Sequence, residues 1–121
     1  MEDADILAFV GATVKSVWAL ELLLLVRRER GRAWRMPELV RELRASTLVV
    51  AEALQSLKSA GLVATDDAGQ VCYRPATEQL DSFVERAQSL YASKPVAVIN
   101  AIATAPSEKL RIFAEAFRLK E

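Results

Sequence analysis

The sequence predicts a mostly α-helical protein that carries one small β-hairpin, and three observations support this. Apolar residues recur at helical spacing, as Val50, Ala53, Leu54 and Leu57 do at i, i+3, i+4 and i+7, with Ala60 a turn later. Only four Gly and four Pro interrupt 121 residues dominated by Leu, Ala, Glu and Arg, a mix that favours helix. One stretch, LVATDDAGQVCYRP over 62–75, changes to alternation broken by DDAG, the pattern of two strands around a turn.

The elements follow in order. Asp3 or Asp5 is expected to cap a first short helix, ILAFVGATV, with Gly11 near its end. Ser16 reads as the N-cap of a second, VWALELLLLVRRER, closed by Gly31. That helix is apolar around most of its circumference, so it is expected to be a buried central strut, open to sharing with a second subunit. RAWRM is a short extended stretch, because the residue before Pro37 avoids the helical region. Pro37 suits the first turn of PELVRELRA, which turns Leu39, Val40 and Leu43 inward. Ser46 caps the helix over 47–60, and Gly61 ends it. After the hairpin, Thr77 caps EQLDSFVERAQSLY, with Leu80, Phe83, Val84, Ala87, Leu90 and Tyr91 inward. Pro95 opens VAVINAIAT; Pro106 breaks the chain, and Ser107 begins EKLRIFAEAFRLK.

The composition is 52% hydrophobic and 26% charged, enough apolar material for a core and unlike a disordered chain. Cys72 is the only cysteine, so no disulfide framework is expected, which suits a reducing compartment. MEDAD lacks the basic start of a secretory signal. The apolar run over 17–26 contains Glu21 and is far short of the roughly 20 residues that span a bilayer. A cytoplasmic protein without a membrane segment is the expectation. Net charge is zero but uneven: residues 1–26 sum to −3, 27–44 to +4, 45–92 to −3 and 93–121 to +2. Nucleic acid would therefore have to be met by a local patch, and 27–44 is the candidate.

ELVRELRASTLVVAEALQSLKSAGLVATDDAGQVCYRPA resembles the winged helix-turn-helix domains of small bacterial transcriptional regulators, the MarR-like and ArsR-like groups. The marks are Leu43 and Ser46 around a three-residue turn, Val50, Leu54 and Leu57 down the next helix, Gly61-Leu62-Val63 into the wing, then Gly69 and Tyr73. With the preceding helix and strand the resemblance covers roughly 16–76. It implies a winged helix-turn-helix with additional N- and C-terminal helices. The expected organisation is a winged-helix domain over 1–92 and a helical extension over 93–121 for dimerisation or partner docking.

The resemblance further implies that the outer face of the helix over 47–60 enters the major groove. Helical geometry puts Thr47, Leu48, Ala51, Glu52, Gln55, Lys58 and Ser59 there. Base readout relies on Arg or Lys to guanine and Asn or Gln to adenine, and mid-face only Gln55 fits. Asp66 and Asp67 stand where a wing in the minor groove would want arginine. Phosphate contacts are expected from Arg35, Arg41, Arg44, Lys58 and Arg74, with Arg35 and Arg74 on neighbouring strands, and weak specificity from Thr47 and Gln55. The competing reading is that these arginines pair with Glu38 and Glu42. Arg27, Arg28, Arg30 and Arg32 are assigned to the dipole at the helix C-terminus.

The same face permits docking of another protein through Leu48, Ala51 and Glu52. The apolar tail, with Ile99, Ile102, Phe113 and Phe117, is expected to form a homodimer interface that presents two such helices to duplex DNA. No histidine is present, Cys72 has no imidazole to activate it, and there is no glycine-rich phosphate loop, so no enzyme, metal site or cofactor is expected. Trp18, Trp34 and Tyr91 are read as core or as the wall of a ligand pocket.

Overall fold

Three hydroxyl side chains start three of the helices. Ser16 Oγ accepts from the Ala19 N–H at 3.0 Å, Ser46 Oγ from Val49 at 3.2 Å and Thr77 Oγ1 from Leu80 at 3.1 Å, each satisfying a donor that the first helical turn leaves over. The computed structural model describes residues 2–104. Its elements are α1 (Asp3–Thr13), α2 (Val17–Arg28), α3 (Met36–Leu43), α4 (Thr47–Ser59), β1 (Val63–Thr65), β2 (Val71–Tyr73), α5 (Glu78–Ser93) and α6 (Pro95–Thr104). The described chain is thus mostly helical, with a small two-stranded antiparallel sheet.

Three boundaries differ from the expectation, one being that Met36, read as extended ahead of Pro37, is the first residue of α3. Glu2 rather than Asp3 or Asp5 is the N-cap of α1, and its N–H donates to Asp5 Oδ2 at 3.1 Å. α2 stops at Arg28, ahead of Gly31, and Gly31 has open space around it. Gly61 behaves as expected. It sits at φ +76° just past α4, where the Leu62 N–H reaches the Leu57 carbonyl and the Gly61 N–H reaches that of Lys58, both at 3.0 Å. This pair of bonds closes the helix and swings the chain into β1.

β1 and β2 pair with Val63 opposite Tyr73 and Thr65 opposite Val71. Trp34 forms a single antiparallel bridge to Val71, through two backbone hydrogen bonds of 2.7 Å. The bridge anchors the segment between α2 and α3 to the hairpin and buries Trp34 completely. Arg32 lies 3.6 Å above the Trp34 ring while pairing with Glu38 at 2.7 Å.

α2 is the expected strut. Ala19, Leu20, Leu22, Leu23, Leu25 and Val26 are all buried, and it packs against α3, α4 and β2. α1, α5 and α6 pack on one another, with Phe9 stacked on Phe83 at 4.9 Å. One core joins both groups, and Val98 and Ile102 of α6 belong to it. Among the described residues no single helix is long and apolar enough to cross a membrane.

Candidate nucleic-acid interface

α4 lies against α2 by Val50, Ala53, Leu54 and Leu57, all buried. Its opposite face, Thr47, Leu48, Ala51, Glu52, Gln55, Lys58 and Ser59, is exposed, as helical geometry requires. Among the described residues α4 packs mainly on α2, α3 and β1, so its outer face is left open.

The chemistry of that face is mixed. Gln55 Nε2 donates to Ser59 Oγ at 3.5 Å, a long contact that leaves the carboxamide able to turn to another partner. Lys58 Nζ donates to Thr65 Oγ1 at 3.2 Å and ties the last turn of α4 to the end of β1. Beyond Thr65 the hairpin turn is acidic. Asp66 Oδ1 accepts from the N–H groups of Ala68 and Gln70 at 2.9 and 2.8 Å, which is turn chemistry. Asp67 and Glu52 are exposed carboxylates that repel phosphate.

The arginines divide into two sets. Arg35, Arg41, Arg44 and Arg74 are exposed, and among the described residues none makes an ion pair. The reading that pairs them with Glu38 and Glu42 does not hold. Glu38 accepts instead from the Arg35 backbone N–H at 2.9 Å and from the Arg32 guanidinium. Those bonds, the backbone one first, hold its carboxyl below the usual range.

Arg44 carries a further mark. As the C-cap of α3 it adopts φ 53° and ψ 41°, the left-handed region, alone among the described non-glycine residues. An L-residue there gives up roughly 1–2 kcal/mol that glycine would not.

The expected neighbourhood of Arg35 and Arg74 needs correction. The Trp34–Val71 bridge is antiparallel. Arg35 lies one residue beyond it in one direction and Arg74 three residues beyond it in the other. At about 3.3 Å per residue they stand roughly 13 Å apart along the strands. Arg35 belongs with the α3–α4 edge, and Arg74 with the opposite end of the hairpin.

Of the second set, Arg27 and Arg28 stand in the last turn of α2, where a cation complements the dipole, and Arg27 and Arg30 in addition reach across the fold. Arg27 Nε reaches Asp81 Oδ1 at 3.3 Å and its Nη1 reaches Gln88 Oε1 at 2.9 Å, with the side chain only 11% exposed. Arg30 lies 3.9 Å from Asp81 Oδ2 and 5.9 Å from the centre of the Tyr73 ring. The Tyr73 hydroxyl donates to Asp81 as well. That bond first, and then the charges of Arg27 and Arg30, hold the Asp81 carboxyl below its ordinary value. Burial, then the Asp81 carboxylate, push the Tyr73 hydroxyl well above a phenol's ordinary value. This hub locks α2 and β2 to α5. Arg27 lies 54 and 61 residues from Asp81 and Gln88 in the sequence, beyond the reach of any local pattern.

No known family, curated protein or solved structure matches the chain. The assignment of function therefore rests on the site itself.

Of the residues expected at a dimer interface, Ile102 is 8% exposed within the core of its own chain, which corrects that expectation. Ile99 is 36% exposed. Phe113 and Phe117 lie outside the described residues. Among the described residues no three His, Cys, Asp or Glu side chains come together as a metal site would need. Cys72 is half-buried, with Sγ 3.7 Å from the Ala64 carbonyl oxygen.

Proposed function

We propose that the chain is a winged-helix protein that binds duplex DNA, acting as a bacterial-type transcriptional regulator in the cytoplasm. Helix α2, the Trp34 bridge, α3, a three-residue turn, α4 and the hairpin follow in the order such a domain requires, with the outer face of α4 left open by the described residues. Arg44 carries the reading. An exposed cation with no ion-pair partner among the described residues holds a backbone conformation that favours glycine, at the turn between the helix that would cross the DNA backbone and the helix that would enter the groove. Arg35 and Arg41 flank it on the same edge. Together they supply phosphate contacts that position the protein, with Lys58 contributing from the far end of α4 and Arg74 from the far end of the hairpin. Thr47 and Gln55 supply weak base readout. A homodimer, joined through the exposed edge of α6 around Ile99 and the segment carrying Phe113 and Phe117, would present two such faces.

A second reading is favoured by one observation. Leu48 is 68% exposed beside Ala51 and Glu52, an apolar contact more suited to a protein partner than to phosphate. Titrating a random duplex and a genomic pool at two salt concentrations separates the two. DNA binding predicts retention at low salt that falls steeply as salt rises. No retention at low salt, with a co-purifying partner lost on Leu48→Glu, supports docking instead.

A further inference from the structure

Trp18 lies in the first turn of α2 and is 42% exposed, an unusual place for the largest apolar side chain. It forms one wall of a hollow of about 470 Å³ with Val17, Glu21, Glu42 and Leu43. That volume falls within the range of small-ligand sites, about 300–1,000 Å³. The lining has one sharp chemical feature: an indole and two aliphatic side chains accompany two carboxylates, and among the described residues no basic one lines the hollow. Glu21 is fixed in place, since Tyr91 donates its hydroxyl to Glu21 Oε1 at 2.9 Å across from α5. Glu42 is exposed and, among the described residues, makes no ion pair.

We infer that this hollow between α2 and α3 binds a small organic cation with an apolar body. Its charge is delocalised or quaternary, so that it gives up little hydration on entry. The indole face attracts such a cation through its quadrupole, Leu43 and Val17 cover its hydrocarbon, and the two carboxylates compensate the charge. A bare metal ion fits poorly, because two carboxylates on separate helices with apolar neighbours do not make an oxygen shell. An anion is repelled. The site is independent of the DNA-binding reading, since it needs neither the outer face of α4 nor the arginines.

Two ions of nearly identical shape and opposite charge test the inference on the full chain. Equilibrium dialysis with tetraphenylphosphonium should give saturable binding of one cation per chain, and tetraphenylborate should not be retained. Trp18→Leu, which keeps the apolar bulk and removes the indole face, and Glu42→Gln, on the exposed surface, should each weaken the cation by about fivefold. Equal retention of the two ions, retention of neither, or an affinity unmoved by both substitutions overturns the inference.

Discussion

The seam between α2 and α5 and the edge between α3 and α4 use the same residue type in opposite ways. At the seam, Arg27 and Arg30 converge on Asp81, and Arg27 is nearly covered. At the edge, Arg35, Arg41 and Arg44 stand exposed without an ion-pair partner among the described residues. Both sets come from one basic stretch, 27–44, so local charge density does not distinguish them. What distinguishes them is whether the fold brings a carboxylate within reach. A paired arginine holds helices together, whereas one at a left-handed turn with no ion-pair partner among the described residues is the cation that the proposed reading assigns to an outside partner.

Breaking the paired set should give the largest effect. Asp81→Ala leaves the nearly buried Arg27 with the more distant Glu85 carboxylate at 3.9 Å in place of its nearer one at 3.3 Å, and the Tyr73 hydroxyl without its acceptor. Denaturant unfolding should show a loss of about 2–3 kcal/mol. The folded fraction should retain its affinity for DNA, since the seam lies away from the α3–α4 edge. Loss of DNA binding without loss of stability would reverse the roles assigned to the two regions.

At the unpaired edge the effects should be smaller and fall on binding alone. Arg41→Ala should weaken binding to every duplex alike by about fivefold, near 1 kcal/mol, and reduce the salt slope by about one unit. Its unfolding midpoint should move little, because no ion pair among the described residues is lost. A sequence-dependent loss would move Arg41 from phosphate contact to base readout. Glu52→Lys should act in the other direction and strengthen non-specific binding by about threefold, by removing a carboxylate from the face of α4. A neutral result would place the DNA elsewhere.

Acid offers a gentler way to separate the regions. Asp81 has a carboxyl held below its ordinary value of 3.8, so the stability it supplies is fully present above that pH. It is lost as pH falls through the lowered value. Acid unfolding of Asp81→Asn should therefore show a shallower loss of stability below about pH 4 than the parent chain. Parallel curves for the two proteins would remove the hub from the account of stability.

How much of this could be read in the sequence follows from the range of each interaction. Ser16, Ser46 and Thr77 announce their helices, because a cap bonds three residues ahead. Gly61 announces the end of α4, and the alternation over 62–75 announces the hairpin, for equally local reasons. The outer face of α4 follows from its buried stripe. The partners of Arg27 are not legible, since Asp81 and Gln88 lie 54 and 61 residues away along the chain. The separation of Arg35 from Arg74 depends on the register of one bridge, and composition does not encode register. Ile102 looked like spare apolar surface because the groove between α1 and α5 that receives it exists only in three dimensions. Trp18 gave no local sign that half of it would stay in solvent.

Arg44→Gly tests the central claim most directly, because it pulls the fold and the function in opposite directions. Glycine relieves the left-handed turn, partly offset by its greater freedom when unfolded, so the stability should be unchanged or higher by up to about 1 kcal/mol. Affinity for a random duplex at low salt should nonetheless fall by about fivefold. A variant that is as stable as the parent and binds duplex DNA equally well would contradict the claim that this cation is kept for an outside partner.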